Sequence, residues 1–132
     1  MTYCVAHYIM VIRNQERGDD MKKDEIVSGF LGELRRGNVV LCVLAMLGEA
    51  TYGYGLIEKL SDTGISVEAN TLYPLLRRLE GQGLLQSTWN TDTAKPRKYY
   101  ELTEFGKEVK QQMKEEWLEI GRKMNDILEG EI

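Results

Sequence analysis

The stretch from Ala69 to Leu102 constrains the fold of this chain more than any other feature. It begins with a leucine-rich segment that carries two adjacent arginines, Arg77 and Arg78, and ends at closely spaced glycines. Two β-rich segments follow, at 84–90 and 97–102, around a polar loop. A glycine-terminated helix that leads into a hairpin with a basic tip is typical of a winged helix-turn-helix. Such a unit places one helix in the major groove of duplex DNA and its wing on the neighbouring backbone.

The charge of the chain is unevenly distributed, although its formal net charge is -4. Residues 69–100 contain five basic and two acidic residues, whereas residues 103–132 contain five basic and eight acidic residues. Phosphates are therefore expected to meet one face only. A length of 132 residues with 42% hydrophobic residues fits one compact domain with an appendage.

An apolar run from Val39 to Leu47 predicts a buried helix within residues 30–47. A strand is the alternative, but the length of the segment and the following Gly48 favour a helix with a glycine stop. The run is apolar on every side, so it must be covered on every side. A small winged domain covers one face only. The other face needs the C-terminal helix or a partner subunit, which is the first indication of a dimer.

Two shorter helices are predicted before the hairpin. Thr51 is expected to cap a supporting helix that continues to Leu60. The next helix has two candidate caps, Ser66 and Asn70, and a start near Asn70 best accommodates Pro74, because proline is tolerated in a first helical turn.

In this second helix, the leucines at 72, 75, 76 and 79 form the stripe expected to face the core, which leaves the intervening side chains available to DNA. Long cations on a projecting loop are what contact with phosphates requires, so the wing is expected to clamp the backbone. The residues predicted to contact DNA are Tyr54, Asn70, Thr71, Tyr73, Arg77, Arg78, Lys95, Arg97 and Lys98. As alternatives, the two arginines are solvated helix charges, Arg78 pairs with Glu80 or caps neighbouring structure, and the wing cations only keep the hairpin soluble.

The last segment predicts a long amphipathic helix with Thr103 as its N-cap. Its apolar stripe is the natural cover for the exposed side of the first helix, most simply across a two-fold axis. The predicted fold is mainly α with a small β-wing: a winged helix-turn-helix plus a C-terminal dimerisation helix. Its predicted parts are a leader at 1–24, the winged helix-turn-helix at 25–102 and the dimerisation helix at 103–132.

The leader reads unlike the rest of the chain, and we expect it to be disordered or to derive from an over-extended reading frame that truly starts at Met21. Its apolar run is too short to span a bilayer and does not have the form of a signal peptide. Cys4 and Cys42 have neither disulfide-framework nor metal-ligand spacing. A cytoplasmic protein without membrane contact, cofactor or metal is therefore expected.

The sequence does not support catalysis. The single histidine, His7, lies in the leader, and no nucleophile has an evident partner. No glycine-rich phosphate loop or metal cluster is present in the sequence. The alternative to DNA binding is a winged-helix module that docks another protein, with the basic wing against an acidic partner.

Several motifs together resemble the PadR family of bacterial transcriptional regulators. They are Tyr54-Gly55, Thr71-Leu72-Tyr73-Pro74, Arg78-Leu79-Glu80, Gly83-Leu84, Arg97-Lys98-Tyr99-Tyr100 and Leu102-Thr103-Glu104-Phe105-Gly106. The single C-terminal helix resembles the short-form subgroup, which includes regulators of multidrug efflux. The resemblance implies a homodimeric repressor, with each C-terminal helix packed on the partner's first helix. Two recognition helices related by a two-fold axis would enter successive major grooves of double-stranded DNA, so an inverted-repeat operator is expected.

In drug-responsive short-form members, flat aromatic ligands stack on paired tryptophans at the dimer interface, and Trp117 stands at that position. The resemblance thus implies a site for a small aromatic effector. The residues predicted to line it are Trp117, Val39, Val43, Met113, Ile120 and Met124. A tryptophan on an apolar helix stripe is also explained by packing between subunits, and both roles stay open.

Overall fold

The computed structural model describes residues 2–130, including the side chains of residues 19–130. Its elements in chain order are α1 (Thr2–Met46), β1 (Thr51–Tyr52), α2 (Gly53–Asp62), α3 (Ala69–Gly81), β2 (Leu85–Asn90), β3 (Arg97–Leu102) and α4 (Glu104–Glu129). Its contacts divide the chain into two units, residues 1–38 and 39–132. The predicted fold class is confirmed: the chain is mainly helical, with a small sheet and a C-terminal helix.

The first unit consists of the N-terminal part of α1. Helix α1 begins at Thr2, well before residue 30, where the first helix was expected to begin; the assignment of residues 1–24 to a leader stays a prediction. Both prolines of the chain, Pro74 and Pro96, lie well beyond α1, so no proline interrupts its backbone ladder. Among its described side chains, Ile26, Phe30 and Leu34 are exposed large apolar residues.

In the second unit, the C-terminal part of α1 enters the core. Leu44 and Leu47 are fully buried, and Val39 and Met46 pack against the core while partly exposed. The helix ends at Met46, one residue before the end that the apolar run predicted at Leu47. The predicted glycine stop is wrong, because Gly48 is not among the glycines with positive φ. The turn instead begins with Leu47 N–H donating to the Leu44 carbonyl at 3.4 Å.

A strand that the sequence did not predict, β1, precedes α2. It completes a sheet of order β1-β3-β2, in which Thr51 is opposite Tyr100. The predicted cap at Thr51 is therefore wrong: its hydroxyl donates to the Glu49 carbonyl at 3.0 Å and accepts from Lys59 Nζ at 3.2 Å. Helix α2 begins at Gly53 with Tyr52 as an N-cap that makes no side-chain bond.

Helix α3 begins at Ala69, and neither predicted capping residue acts as its cap. Its N-cap is Glu68, whose carbonyl accepts from the N–H groups of Thr71 and Leu72. Pro74 lies inside the helix instead of in its first turn. The helix ends as predicted at Gly81, and Gly83 takes the left-handed conformation with φ of 81°.

The predicted hairpin is confirmed. Strands β2 and β3 pair antiparallel from Leu85 opposite Leu102 to Asn90 opposite Arg97. Trp89 lies opposite Lys98, and Tyr100 lies opposite Ser87, so the two aromatic residues are not direct partners. We call residues 85–102 the wing.

A compact junction joins the wing to α4. As predicted, Thr103 is the N-cap, and its Oγ1 accepts from the Gly106 N–H at 2.9 Å. The same hydroxyl donates to the Gly83 carbonyl at 2.6 Å, and the Thr103 N–H donates to the Leu84 carbonyl at 3.0 Å. Beyond the junction, the apolar residues Trp117, Ile120 and Leu128 of α4 are exposed. No helix within residues 2–130 has the length and apolar character that crossing a bilayer requires.

Candidate nucleic-acid interface

Helix α3 has a buried face and a free face. Its buried face consists of Leu72, Leu76 and Leu79, which are at most 1% exposed. The predicted contact residues of this helix lie on its exposed side: Asn70, Thr71, Tyr73, Arg77 and Arg78. The leucine stripe therefore fixes the helix to the core and presents two arginines outward, as the sequence predicted.

A close contact between helices supports this arrangement. The ring of Tyr73 packs against Gly53, where a Cβ atom would lie only 2.5 Å from Tyr73 Cε1. A larger residue at the start of α2 would push the ring away. Gly53 thus allows α3 to lie close to α2, and Tyr73 remains partly exposed beside Arg77.

A cleft of about 390 Å³ separates α3 from the wing. It brings together three of the predicted cations, Arg77 from α3 and Arg97 and Lys98 from β3, with aromatic rings. The aromatic residues that line it are Tyr52, Tyr73, Trp89 and Tyr100. Trp89 is 64% exposed. A cleft with cations at its walls and aromatic surface between them suits the charged backbone and apolar sugars of a nucleic acid.

The cation Arg97 is held over an aromatic ring. Its guanidinium carbon lies 4.5 Å from the centroid of the Tyr52 ring, which in turn lies 5.6 Å from the Tyr99 ring. A cation over a ring face is attracted by the ring quadrupole while its N–H groups stay available. Arg97 is exposed, so this contact orients the guanidinium without burying it.

Lys98 has a different environment although it is the next residue. Its Nζ lies 3.3 Å from Glu80 Oε2 and 5.1 Å from the centroid of the Tyr100 ring, and its side chain is only 29% exposed. Desolvation lowers the pKa of Lys98, but hydrogen bonds to Tyr100 and Glu80 outweigh this effect and raise the pKa above its ordinary value. The ammonium is therefore charged at neutral pH and already paired within the protomer. Glu80 pairs with this lysine and not with Arg78.

The remaining predicted contact residues are exposed but lie outside the cleft lining. Tyr54, at the start of α2, is 59% exposed. Lys95 lies in the loop at the wing tip, where its carbonyl accepts from Thr93 Oγ1 at 2.8 Å. The sequence missed Tyr52 and Trp89 as cleft residues. Tyr52 was missed because β1 was not predicted, whereas the register of the hairpin alone would have placed Trp89 beside Lys98.

The residues predicted to line an effector site differ widely in their burial within the protomer. Val43 is fully buried in the core, and Val39 and Met113 are partly buried against it. Trp117, Ile120 and Met124 are all exposed on α4 by 45–51% of their surface. Within residues 2–130, no group of histidine, cysteine or carboxylate side chains is arranged to hold a metal ion.

Comparisons with known proteins agree with this geometry. Residues 40–112 match the transcriptional regulator PadR-like family. A crystal structure of a PadR family transcriptional regulator from Eggerthella lenta is 49% identical, with a TM-score of 0.79, over 83% of this chain and 97% of that one. A PadR-like transcriptional regulator from Bacillus cereus is 30% identical, with a TM-score of 0.67, over 73% of this chain and 96% of that one. No curated protein matches the chain.

The family match spans the core part of α1, the whole winged unit and the first part of α4. Members of this family regulate transcription through DNA and are not enzymes, in agreement with the exposed cations of α3 and the wing. The chain belongs to the PadR-like family of transcriptional regulators.

Proposed function

We propose that this DNA-binding regulator is a homodimeric repressor that works in the cytoplasm and is released from its operator by a small aromatic or hydrophobic effector. The observation that carries the DNA-binding part is the cleft between α3 and the wing, with exposed Arg77 on one wall and exposed Arg97 on the other. Two cations on separate elements that face one cleft fit a duplex better than a flat protein surface, because a groove and its adjoining backbone are contacted together.

In this proposal, α3 enters the major groove and the wing contacts the flanking backbone. Arg77 and Arg78 supply the long donors that suit base edges or phosphates, and Asn70, Thr71 and Tyr73 lie on the same exposed side. Lys95 and Arg97 provide phosphate contacts from the wing, and Tyr54 adds one from α2. Base contacts specify the sequence, whereas phosphate contacts fix the orientation of the protein.

The dimer part of the proposal rests on the apolar surface of α4. Trp117, Ile120, Met124, Ile127 and Leu128 lie on one side of α4 and are each at least 45% exposed in the protomer. A contiguous apolar face of this kind is typical of an interface between subunits. In such a dimer, two α3 helices related by a two-fold axis would enter successive major grooves, which lie about 34 Å apart on the duplex, so the operator should be an inverted repeat.

The effector part of the proposal centres on Trp117. Its ring, with Ile120 and Met124, offers exposed aromatic and apolar surface that a planar compound would stack on between subunits. Val39 and Met113 would contribute at the edge of such a site, whereas Val43 would have to act through the core. A ligand releases the repressor only if it prefers a dimer whose α3 helices have the wrong spacing. The regulated response is then to multiple drugs or related aromatic compounds.

The competing function is a winged-helix module that docks an acidic protein. The same cations would serve it, so mutation of a cation alone does not distinguish the two. Salt dependence does, because DNA binding weakens log-linearly with salt as counterions return to the phosphates.

The test is fluorescence anisotropy of the full chain on the duplex upstream of its own gene, against a scrambled duplex, at several salt concentrations. Selective binding that weakens steeply with salt supports the regulator. Arg97→Gln should weaken binding, whereas Lys114→Gln, which removes the same charge from an exposed site on α4, should not. Absence of selectivity on this and the neighbouring promoters, with both variants alike, would favour the docking module.

A further inference from the structure

A single carboxylate connects helix α3 to both strands of the wing. Glu80 lies in the last turn of α3. Its Oε1 accepts a hydrogen bond from Ser87 Oγ on β2 at 2.8 Å, and its Oε2 lies 3.3 Å from Lys98 Nζ on β3. Ser87 and Lys98 both point to the same side of the hairpin as Trp89, since Trp89 lies opposite Lys98 and alternate residues share a face.

The burial of this carboxylate makes its pairing with Lys98 necessary. Glu80 Oε2 is buried, and the Lys98 ammonium, whose Nζ lies 3.3 Å away, is the cation that compensates its charge. A buried carboxylate oxygen is costly unless a cation or donor faces it. The pair differs from the ion pairs along α4, such as Arg122 with Glu119, because those join residues of one exposed helix. Only the Glu80 pair joins two elements among the ion pairs between described residues.

We propose that Glu80 is a positioning residue for DNA binding, which fixes the wing relative to α3 and so sets the distance between their phosphate-binding cations. Arg77 lies three residues before Glu80 on α3, and Arg97 immediately precedes Lys98 on β3. Each of these DNA-facing cations is therefore close in sequence to one member of the Glu80–Lys98 ion pair. This inference rests on the proposed function, because it requires α3 and the wing to contact the same duplex. Lys98 then acts as the wing's anchor and not as a phosphate contact.

A fixed wing lowers the ordering cost of binding. A wing that pivots must be immobilised when DNA binds, and this immobilisation costs conformational entropy. The entropy cost reduces the binding free energy gained from the contact between Arg97 and the DNA. The roles of Glu80 and Arg97 should therefore be coupled, although the two residues have different partners. Coupling between members of one network amounts to a factor of about two to a hundred in an equilibrium constant.

The experiment is a double-mutant cycle on the operator, with the full chain. Glu80→Ala should weaken binding by about threefold or more. In that background, Arg97→Gln should cost clearly less than it costs in the wild-type chain. Glu58→Gln is the matched control, because it removes one negative charge from an exposed site on α2, and it should leave the cost of Arg97→Gln unchanged. The exchange Glu80→Lys with Lys98→Glu should restore part of the coupling, since it re-forms the ion pair at the same net charge.

The outcomes separate positioning from simple stabilisation. Unchanged affinity and an unchanged cost of Arg97→Gln in Glu80→Ala, with only a lower melting temperature, would overturn the proposal. Tighter binding would also overturn it, because Lys98 would then be a phosphate contact that Glu80 restrains. If Glu80→Ala does not fold by circular dichroism, Glu80→Gln and Ser87→Ala carry the same test with one interaction removed at a time. Failure of the wild-type chain to select an operator would instead refute the proposed function, and the positioning role with it.

Discussion

Replacement of Gly106 by alanine should destabilise the protein, although alanine is the better helix former. Gly106 is the third residue of α4 and is buried against the backbone of Leu84. A Cβ atom built there would overlap the Leu84 carbonyl oxygen and lie 3.0 Å from the carbonyl carbon and 3.1 Å from Leu102 Cδ2. The first two are backbone atoms, which have no rotamer through which to move away.

The change in the free energy of unfolding that Gly106→Ala causes is the sum of two opposing effects. Overpacking a well-packed site costs about 1–3 kcal/mol. The change from glycine to alanine within a helix returns up to about 1 kcal/mol. The Leu84 carbonyl also accepts from the Thr103 N–H at 3.0 Å, so a shift of this carbonyl strains the junction further. We expect a net loss of about 1–2 kcal/mol, which lowers the melting temperature by roughly 3–10 °C in a chain of this size.

The assay is thermal unfolding followed by circular dichroism at a fixed protein concentration, because the stability of a dimer depends on concentration. Gly121→Ala is the matched control: it lies in the same helix, and no atom of the described residues outside the adjoining helix backbone lies within 4 Å of its Cβ position. It should be neutral or raise stability by up to about 1 kcal/mol. A melting temperature of Gly106→Ala equal to or above that of the wild type would refute the reasoning.

Three further predictions concern the wing, the junction and α4. Arg97→Gln should reduce the slope of log affinity against log salt by about one for each wing that contacts DNA, whereas Lys98→Gln should leave it unchanged; equal slopes for the two variants would contradict this. Thr103→Ala should cost about 1 kcal/mol of unfolding free energy in chemical denaturation, and Thr103→Ser should recover most of it, since serine keeps the capping oxygen. Trp117→Ala should reduce the response to planar aromatic compounds more than operator affinity in anisotropy; equal losses would assign Trp117 to packing.

The features that the sequence predicted depend on short-range patterns. The leucine spacing of α3 gave its buried face, because helical periodicity acts over three or four residues. The hairpin and the cap at Thr103 likewise follow from neighbouring residues. Even among these elements, the observed start of a helix can differ from the predicted one. Helix α3 starts at Ala69 with Glu68 as its cap, so two good capping residues, Ser66 and Asn70, are not used as caps.

The features that it missed depend on contacts between distant segments. Strand β1 has two residues, and its partners in β3 lie nearly fifty positions later, so no local pattern marks it. The strand matters for the site because it places the Tyr52 ring beneath Arg97. The sequence also predicted the first helix only within residues 30–47, whereas α1 begins at Thr2.

The different environments of Arg97 and Lys98 change the expected electrostatics of binding. The sequence of the wing contains three cations that are equally good candidates for contacting phosphate. In the fold, Lys98 is paired with Glu80, and of the three only Lys95 and Arg97 are exposed. Each phosphate contact contributes about 0.9 to the salt slope on duplex DNA. A dimer that uses two wing cations per protomer instead of three should therefore have a slope smaller by about two. The change in salt slope when each wing cation is replaced by glutamine thus measures which wing cations reach phosphate. The sequence alone overestimates their number, because Glu80, which pairs with Lys98, belongs to another element.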